Sequence, residues 1–331
     1  RLETAPAVDT GHEFLDLSVK TGLAFIDATF QGDHPKYGVG TYAQTRHDGF
    51  PPTIIATVDA LTAWGLNARA MQLFRHWLLH FVDADGTIRY YGPSLSEYGQ
   101  ILHTAATLHE RAGAGAWLDD GRAALGRIAE RLLALCREAE AKDELIPGVP
   151  EADISRGEPN QIRDDTHNED NRFFHNNAWI ARGLLRWAAL ADAAGLLPAG
   201  ETPRIRTIAQ RLIDRTLAAI EATWPTDPAD WWLPPQVEPA PRPAALTASR
   251  LGSYTNYRYW PELLSSGILP DALGQRLVEA RLSGGGQFCG MTRLGDHLDD
   301  WPLADYLLGL WRLGRREDVI LSLYGHSAYH Q

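Results

Sequence analysis

The densest run of chemistry-capable side chains lies between Pro147 and Trp179. Glu151 and Asp153 follow Ile146-Pro147-Gly148, then comes Arg163-Asp164-Asp165-Thr166-His167-Asn168-Glu169-Asp170, and then His175-Asn176-Asn177-Ala178-Trp179. Two carboxylates in one pocket can have their pKa values pushed apart, so that one gives a proton while the other takes one. Glu151 and Asp153 are the leading candidates, because the segment before them is expected to be fixed. Glu169 and Asp170 stand in reserve, in an acidic run that also reads as a solvated loop. His175, Asn176, Asn177 and Trp179 are candidate substrate contacts. His167, Glu169, Asp170 and His175 could instead hold a metal, but their spacing matches no zinc signature. No metal centre and no cofactor is expected, with a structural calcium the one ion left open.

Four further clusters carry chemistry. Arg46 and Asp48 sit in Arg46-His47-Asp48-Gly49-Phe50, where one side chain donates and the other accepts, a match for vicinal hydroxyls. Glu97, Tyr98 and Gln100 open a helix, where the helix dipole alone would favour the glutamate. Tyr254-Thr255-Asn256-Tyr257-Arg258-Tyr259-Trp260-Pro261-Glu262 mixes aromatic faces with polar ends. There Tyr257 and Trp260 could stack on sugar rings while Asn256, Arg258 and Glu262 reach hydroxyls. In Asp296-His297-Leu298-Asp299-Asp300-Trp301-Pro302, one of Asp299 and Asp300 is expected to cap a helix. The other is then free for substrate beside Trp301, and Asp300 is a further candidate for acid–base work. No phosphate cradle is present, since Gly284-Gly285-Gly286 lacks the following Lys and Ser or Thr, and no Gly-x-Ser-x-Gly elbow occurs.

Helical segments must position these groups. Apolar residues at helical spacing mark His12 to Phe30, Thr53 to Trp64, Ala68 to Val82, Ser96 to Ala112, Ala116 to Ala139, Phe173 to Ala194 and Thr202 to Thr223. Four shorter ones follow: Tyr259 to Ser266, Pro270 to Leu282, Pro302 to Leu313 and Arg316 to Leu323. Trp224 to Ser253, rich in Pro and Trp, reads as an excursion or lid. Almost no segment alternates as a strand would, so the chain is expected to be all-α. Every second connection is long and polar: Tyr37 to Phe50, Tyr90 to Gln100, Pro147 to Trp179, Ser253 to Glu262, Gly284 to Trp301 and Tyr324 to Gln331. Those between are tight, such as Gly65-Leu66-Asn67. A ring of helical hairpins, decorated at one end, explains this alternation. Eleven helices with six decorated loops imply a twelfth helix beyond Gln331, and hence a single domain over 1–331 that is truncated at its C-terminus.

Composition bounds the partners. The 331 residues are 44% hydrophobic and 22% charged, enough for a large core. The net charge of −11 and pI near 5.5 argue against nucleic acid and anionic membrane as partners. Cys136 and Cys289 form no disulfide framework. No run approaches the roughly 18 apolar residues of a membrane span. No signal peptide is visible and the chain starts without Met, which leaves secretion and the cytoplasm both open. Oligomeric state is not legible.

The order of elements resembles the (α/α)6 toroid of glucoamylase-like, six-hairpin glycoside hydrolases. The run GLNARAMQLFRHWLLHFVDADGTI is similar to the third-helix segment of that group, FFHNNAWIARGLLRWAALADAAG (173–195) to its sixth helix, and Arg46 with Asp48 to its sugar-binding Arg-Asp pair. The resemblance implies a carbohydrate substrate and an exo-acting, inverting glycoside hydrolase with two carboxyls about 6.5–9.5 Å apart. It places the acid before the sixth helix, at Glu151 or Asp153, with Glu169 and Asp170 behind them. The base belongs before the twelfth helix, where this sequence offers no carboxylate. The base is thus expected beyond Gln331, or from Asp300 or Glu97. Two other enzyme readings compete. One is a polysaccharide lyase with Tyr257 or His175 as base and Arg258 neutralising a uronate; the other is a sugar epimerase with two histidines. A noncatalytic glycan-binding protein is the alternative outside enzymes.

Overall fold

The computed structural model describes residues 8–35, 48–90, 94–150, 170–227 and 230–329. It is built from helices, with only short strands among the described residues. The chain divides into two compact units. The first takes in the described residues up to Glu138 together with Gly183–Ala209; the second takes in those of Ala139–Pro150, Gly157–Arg182 and Gln210–Gln331.

In the first unit α1 (Glu13–Ala28) leads into the hairpin β1–β2 (Phe30–Gln31, His34–Pro35), and α2 (Pro51–Ala63), α3 (Asn67–His80) and α4 (Leu95–Ala112) pack on one another. Pro51 and Pro52 start α2 where missing N–H groups cost nothing, and Gly65, at φ 73°, turns the chain into α3. α4 starts in a capping box: Glu97 Oε2 accepts the Ser94 N–H at 3.1 Å, and the Ser94 hydroxyl oxygen accepts the Ser96 N–H. α5 (Ala116–Ala141), α6 (Phe174–Ala193) and α7 (Glu201–Thr223) contribute residues to both units. α6 crosses α4 at backbone contact: a Cβ added to Gly183 would lie 2.4 Å from the Gly99 carbonyl oxygen.

In the second unit α8 (Arg250–Tyr254), a π-helical turn (Thr255–Tyr259) and α9 (Trp260–Ser266) form one continuous helix. Ser249 caps it by accepting the Gly252 N–H at 3.0 Å. The expected loop from Ser253 to Glu262 is therefore helical. Pro261 accounts for the widened turn, because it has no N–H to continue the ladder and the Trp260 N–H reaches back to the Thr255 carbonyl instead. α10 (Asp271–Ser283) follows, then a three-stranded antiparallel sheet, β3 (Gln287–Phe288), β4 (Met291–Leu294) and β5 (His297–Leu298), where a loop was expected. α11 (Leu303–Arg312) packs along α9, with Gly309 seated on Leu264.

α12 (Arg316–Tyr329) carries on through the segment read as the sixth decorated loop. The helix was expected to end at Leu323, but Gly325 is a packing glycine inside it: a Cβ there would lie 2.2 Å from the Cys289 carbonyl oxygen. The Trp224 to Ser253 excursion is not a loose lid in its described residues. Trp232, Leu233 and Leu246 are buried, and Pro235 and Val237 exchange backbone hydrogen bonds with Phe174 and Arg172. Cys136 is buried, Cys289 is exposed and no disulfide joins them. Among the described residues no helix is long and apolar enough to cross a membrane.

Candidate functional site

The N-terminal ends of α6, α9 and α11 in the second unit bring most of the sequence-selected residues together. Tyr257, on the outer side of the π turn, stacks on Trp301 with ring centroids 5.8 Å apart and planes at 28°. The Arg258 guanidinium lies 5.2 Å from the Trp301 ring centroid, a cation–π distance. Tyr257 and Trp301 stay half-buried, and Arg258 is buried. One helical turn on, the Arg258 Nε donates to Glu262 Oε1 at 2.5 Å, with both side chains 2% exposed or less. The other Glu262 oxygen is buried and meets no partner among the described residues. Trp260 points into the core against Trp232, 5.9 Å between centroids, so it packs the fold there.

Asp305, on the first turn of α11, joins this group without having been singled out in the sequence. Burial pushes its carboxyl up to about 6, and the Glu262 charge adds to that, against the Ser265 hydroxyl and the charges of Arg258 and Arg312. An aspartate in the first turn of a helix is explained by the dipole alone, which is why it drew no notice. The signal was its place among the apolar residues of Leu303-Ala304-Asp305-Tyr306-Leu307-Leu308.

His175 lies flat against Tyr259, 4.6 Å between centroids at 14°, and its Nε2 donates to the Pro150 carbonyl at 3.2 Å. Burial holds its pKa down to about 4, partly countered by Glu262 and reinforced by Arg258, so the ring is neutral. Asn176 and Asn177 turn their amides to backbone: Asn176 donates to the Val149 carbonyl at 3.0 Å, and Asn177 donates to the Ile146 and Phe173 carbonyls at 3.0 and 2.9 Å. Asn256 does the same, donating to the Gly286 and Arg293 carbonyls at 2.7 and 2.6 Å while its oxygen accepts from Arg281 Nε at 2.8 Å. The amides expected to hold sugar hydroxyls thus hold the fold, because buried backbone groups must be paired. Trp179 is buried in α6.

Asp300 Oδ1 accepts the Thr292 N–H at 3.2 Å, and Oδ2 pairs with His326 Nδ1 at 3.1 Å. Asp299 Oδ1 accepts the Trp301 N–H at 2.9 Å. Neither aspartate caps α11 with its side chain, contrary to expectation; Pro302 occupies that position. Pairing with His326 was missed because that residue sat in a supposed loop. Asp170 is exposed.

In the first unit, Asp48 pairs with His34 Nδ1 at 2.9 Å. Glu97 caps α4, and Gln100 is buried on the same helix. The Tyr98 hydroxyl accepts the Ile88 N–H at 3.2 Å and its ring lies under Arg131, contacts that belong to the core. Arg46, Glu151, Asp153 and Glu169 lie outside the described residues, as does His167 of the metal reading. Among the described residues no group of three or more His, Cys, Asp and Glu side chains is disposed to hold a metal ion.

No protein-family model matches this chain, and no curated protein matches it. Solved structures do. A glycosidase variant superposes with a TM-score of 0.64 at 12% identity, covering 97% of this chain and 85% of that one. The wild-type glycosidase gives 0.62 at 12% identity over 95% and 84% of the two chains. A further variant, solved in complex with glucose, gives 0.61 at 12% over 97% and 85%. At such identity the likeness is one of fold. The chain has the (α/α)6-toroid fold of these glycosidases.

Proposed function

We propose that this chain is a glycan-processing enzyme, and within that class an inverting, exo-acting glycoside hydrolase. The observation that carries the reading is the Tyr257–Trp301 shelf above the Arg258–Glu262 ion pair, at the N-terminal ends of α9 and α11. Half-buried aromatic faces beside buried charge suit a sugar ring, apolar on its faces and polar on its rim. It lies in a fold shared with glycosidases, one of them solved with glucose.

Glu151 is assigned as general acid, with Asp153, Glu169 and Asp170 behind it. Asp300 is assigned as base, since it adjoins Trp301 and is already oriented by His326. The acid would protonate the glycosidic oxygen while the base activates water on the opposite face of the ring. Two features favour hydrolysis over a lyase. Arg258 spends its charge on Glu262, leaving little to neutralise a uronate, and His175 is 1% exposed with its ring shut in against Tyr259, out of a substrate's reach. No cofactor enters the proposed chemistry.

A glycan-panel digest with wild type and Glu151→Gln tests this, followed by reducing sugar and by the absorbance of unsaturated uronate. New reducing ends without that absorbance, lost in the variant, are expected. Unsaturated product surviving the substitution would make the protein a lyase. Binding without turnover on any glycan would make it a noncatalytic binder.

A further inference from the structure

A closed circuit of contacts runs beneath the Tyr257–Trp301 shelf, all of it within the second unit. Next to Tyr257 in the π turn stands Asn256, whose Oδ1 accepts the Arg281 Nε–H at 2.8 Å. From the same guanidinium, Nη2 donates to Thr292 Oγ1 at 2.8 Å. The Thr292 N–H donates to Asp300 Oδ1 at 3.2 Å, and Asp300 is the chain neighbour of Trp301. The Trp301 ring closes the circuit on Tyr257, 5.8 Å between centroids. The polar links are shut away from water: Asn256 and Arg281 are 0% exposed, Thr292 1% and Asp300 7%.

The circuit gives β4 a second grip on the π turn. The first is direct: Asn256 Nδ2 donates to the Arg293 carbonyl at 2.6 Å and to the Gly286 carbonyl at 2.7 Å. A strand held at one point can still rotate about that point. Arg281 supplies the other point, at Thr292, and two points fix the angle. Thr292 in turn carries the approach to Trp301. Its carbonyl accepts the Asp299 N–H at 3.0 Å, beside the bond from its own N–H to Asp300.

Arginine is a costly residue to place here. Burial draws its pKa below the ordinary arginine value, countered by Tyr306 and Asp300. Its Nη1 is buried and meets no partner among the described residues, while the guanidinium lies 3.9 Å from the Tyr306 ring centroid. Leucine or methionine would fill the space without burying a charge. Lysine would keep the charge but concentrate it at one point. What arginine adds is a planar fork, whose Nε and Nη2 reach two acceptors on two elements at a fixed separation.

We propose that Arg281 is the positioning residue of the aromatic shelf. By bridging Asn256 to Thr292 it sets the tilt and separation of Trp301 against Tyr257, and so the shape of the face offered to a sugar ring. This rests on the reading of the shelf as the sugar-binding surface. Arg281 itself lies too deep to touch substrate, and it acts through Trp301 alone.

The test compares wild type with Thr292→Val, Thr292→Ser and Arg281→Lys. Valine keeps the shape of threonine and its backbone N–H to Asp300, and removes only the hydroxyl that Arg281 holds. Serine restores that hydroxyl. Arg281→Lys keeps the charge and gives up the fork, so it carries the same test should Thr292→Val not fold. Each protein is labelled with fluorotryptophan, and the Trp301 line in the fluorine NMR spectrum is assigned by its loss in Trp301→Phe. We expect that line to shift in Thr292→Val and Arg281→Lys and to return in Thr292→Ser. On the substrate found in the digest, the first two should raise KM by roughly threefold to fivefold, short of the loss of the whole indole. Their kcat should stay within about twofold of wild type. An unmoved Trp301 line in the folded variants would overturn the proposal whether or not a substrate is known, even if they melt earlier. A shifted line with unchanged KM, beside a raised KM in Trp301→Ala, would overturn the role in sugar binding alone. Trp301→Ala with unchanged KM would overturn the sugar shelf and this role together.

Discussion

Asp305 on α11 lies in the field of Glu262 on α9, and its carboxyl is pushed up to about 6, by burial first and by that neighbouring charge second. Folded-state pKa values above the unfolded 3.8 have a definite sign. The folded protein binds the proton more tightly, so the stabilisation is complete below pH ~4 and is lost as pH rises through ~6. At full size the shift amounts to about 3 kcal/mol. Asp305→Asn, always uncharged, should therefore gain on wild type between pH 5 and pH 8 by a substantial part of that figure. Urea denaturation of both proteins at the two pH values checks it. An equal difference at both would mean that Asp305 ionises in the fold as it does in water.

His175 should act in the opposite direction over nearly the same range. Its pKa is lowered from 6.5 to about 4, chiefly by burial, so the unfolded chain takes up a proton before the folded one does. That contribution is present above pH ~6.5 and is lost as pH falls toward ~4. In wild type the two residues oppose each other, and stability should vary little between pH 4 and 6.5 on their account. In Asp305→Asn the His175 slope should emerge, with stability falling on acidification. NMR titration of the His175 ring nitrogens gives an independent check. A midpoint near 6.5 would show that the ring is solvated rather than shut in against Tyr259.

The close approach of α4 and α6 predicts a contrast between two glycines. A methyl group at Gly183 would meet the Gly99 backbone at 2.4 Å, and backbone cannot swing away as a side-chain tip can. Gly183→Ala should destabilise by about 1–3 kcal/mol, as overpacking does. Gly126, inside α5, has nothing within 4 Å of an added Cβ. There Gly126→Ala should stabilise by about 0.5–1 kcal/mol through helix propensity. Thermal melts of the two variants should shift in opposite directions, and a shared direction would contradict the packing at Gly99.

The helical class was legible because apolar spacing, terminal prolines and turn glycines all agreed. What escaped depended on contacts distant in sequence. Gly325 carries the stop signal of a helix end, yet it lies within α12 because β4 and its turn press against it. The short helix expected from Tyr259 is the end of a longer one, with Pro261 following a π turn inside it. The same limit holds at the site. Asn176, Asn177 and Asn256 have side chains suited to sugar hydroxyls, and equally suited to the backbone groups they hold. Residue type does not say which partner faces an amide. The tight pair of Arg258 and Glu262 escaped for a related reason: four residues apart they meet on a helix, but the stretch from Ser253 to Glu262 was expected to be a loop.

Trp301 offers the most direct probe of the proposed sugar site. Tyr257 stacks on its ring and Arg258 lies within cation–π reach, so the indole is held by its neighbours before any substrate arrives. A preorganised face of this kind binds ground state and transition state alike, and its loss should appear in KM with kcat nearly unchanged. Trp301→Ala is expected to raise KM by roughly fivefold to tenfold, on the order of 1 kcal/mol for an aromatic contact. Trp301→Phe, which keeps a smaller plane, should fall between the two. Because the indole also covers the Arg258–Glu262 pair, melting temperatures must be read alongside, and the Phe variant should keep that of wild type. A fall in kcat at constant KM would place Trp301 with the reacting groups instead and remove the shelf as a binding surface.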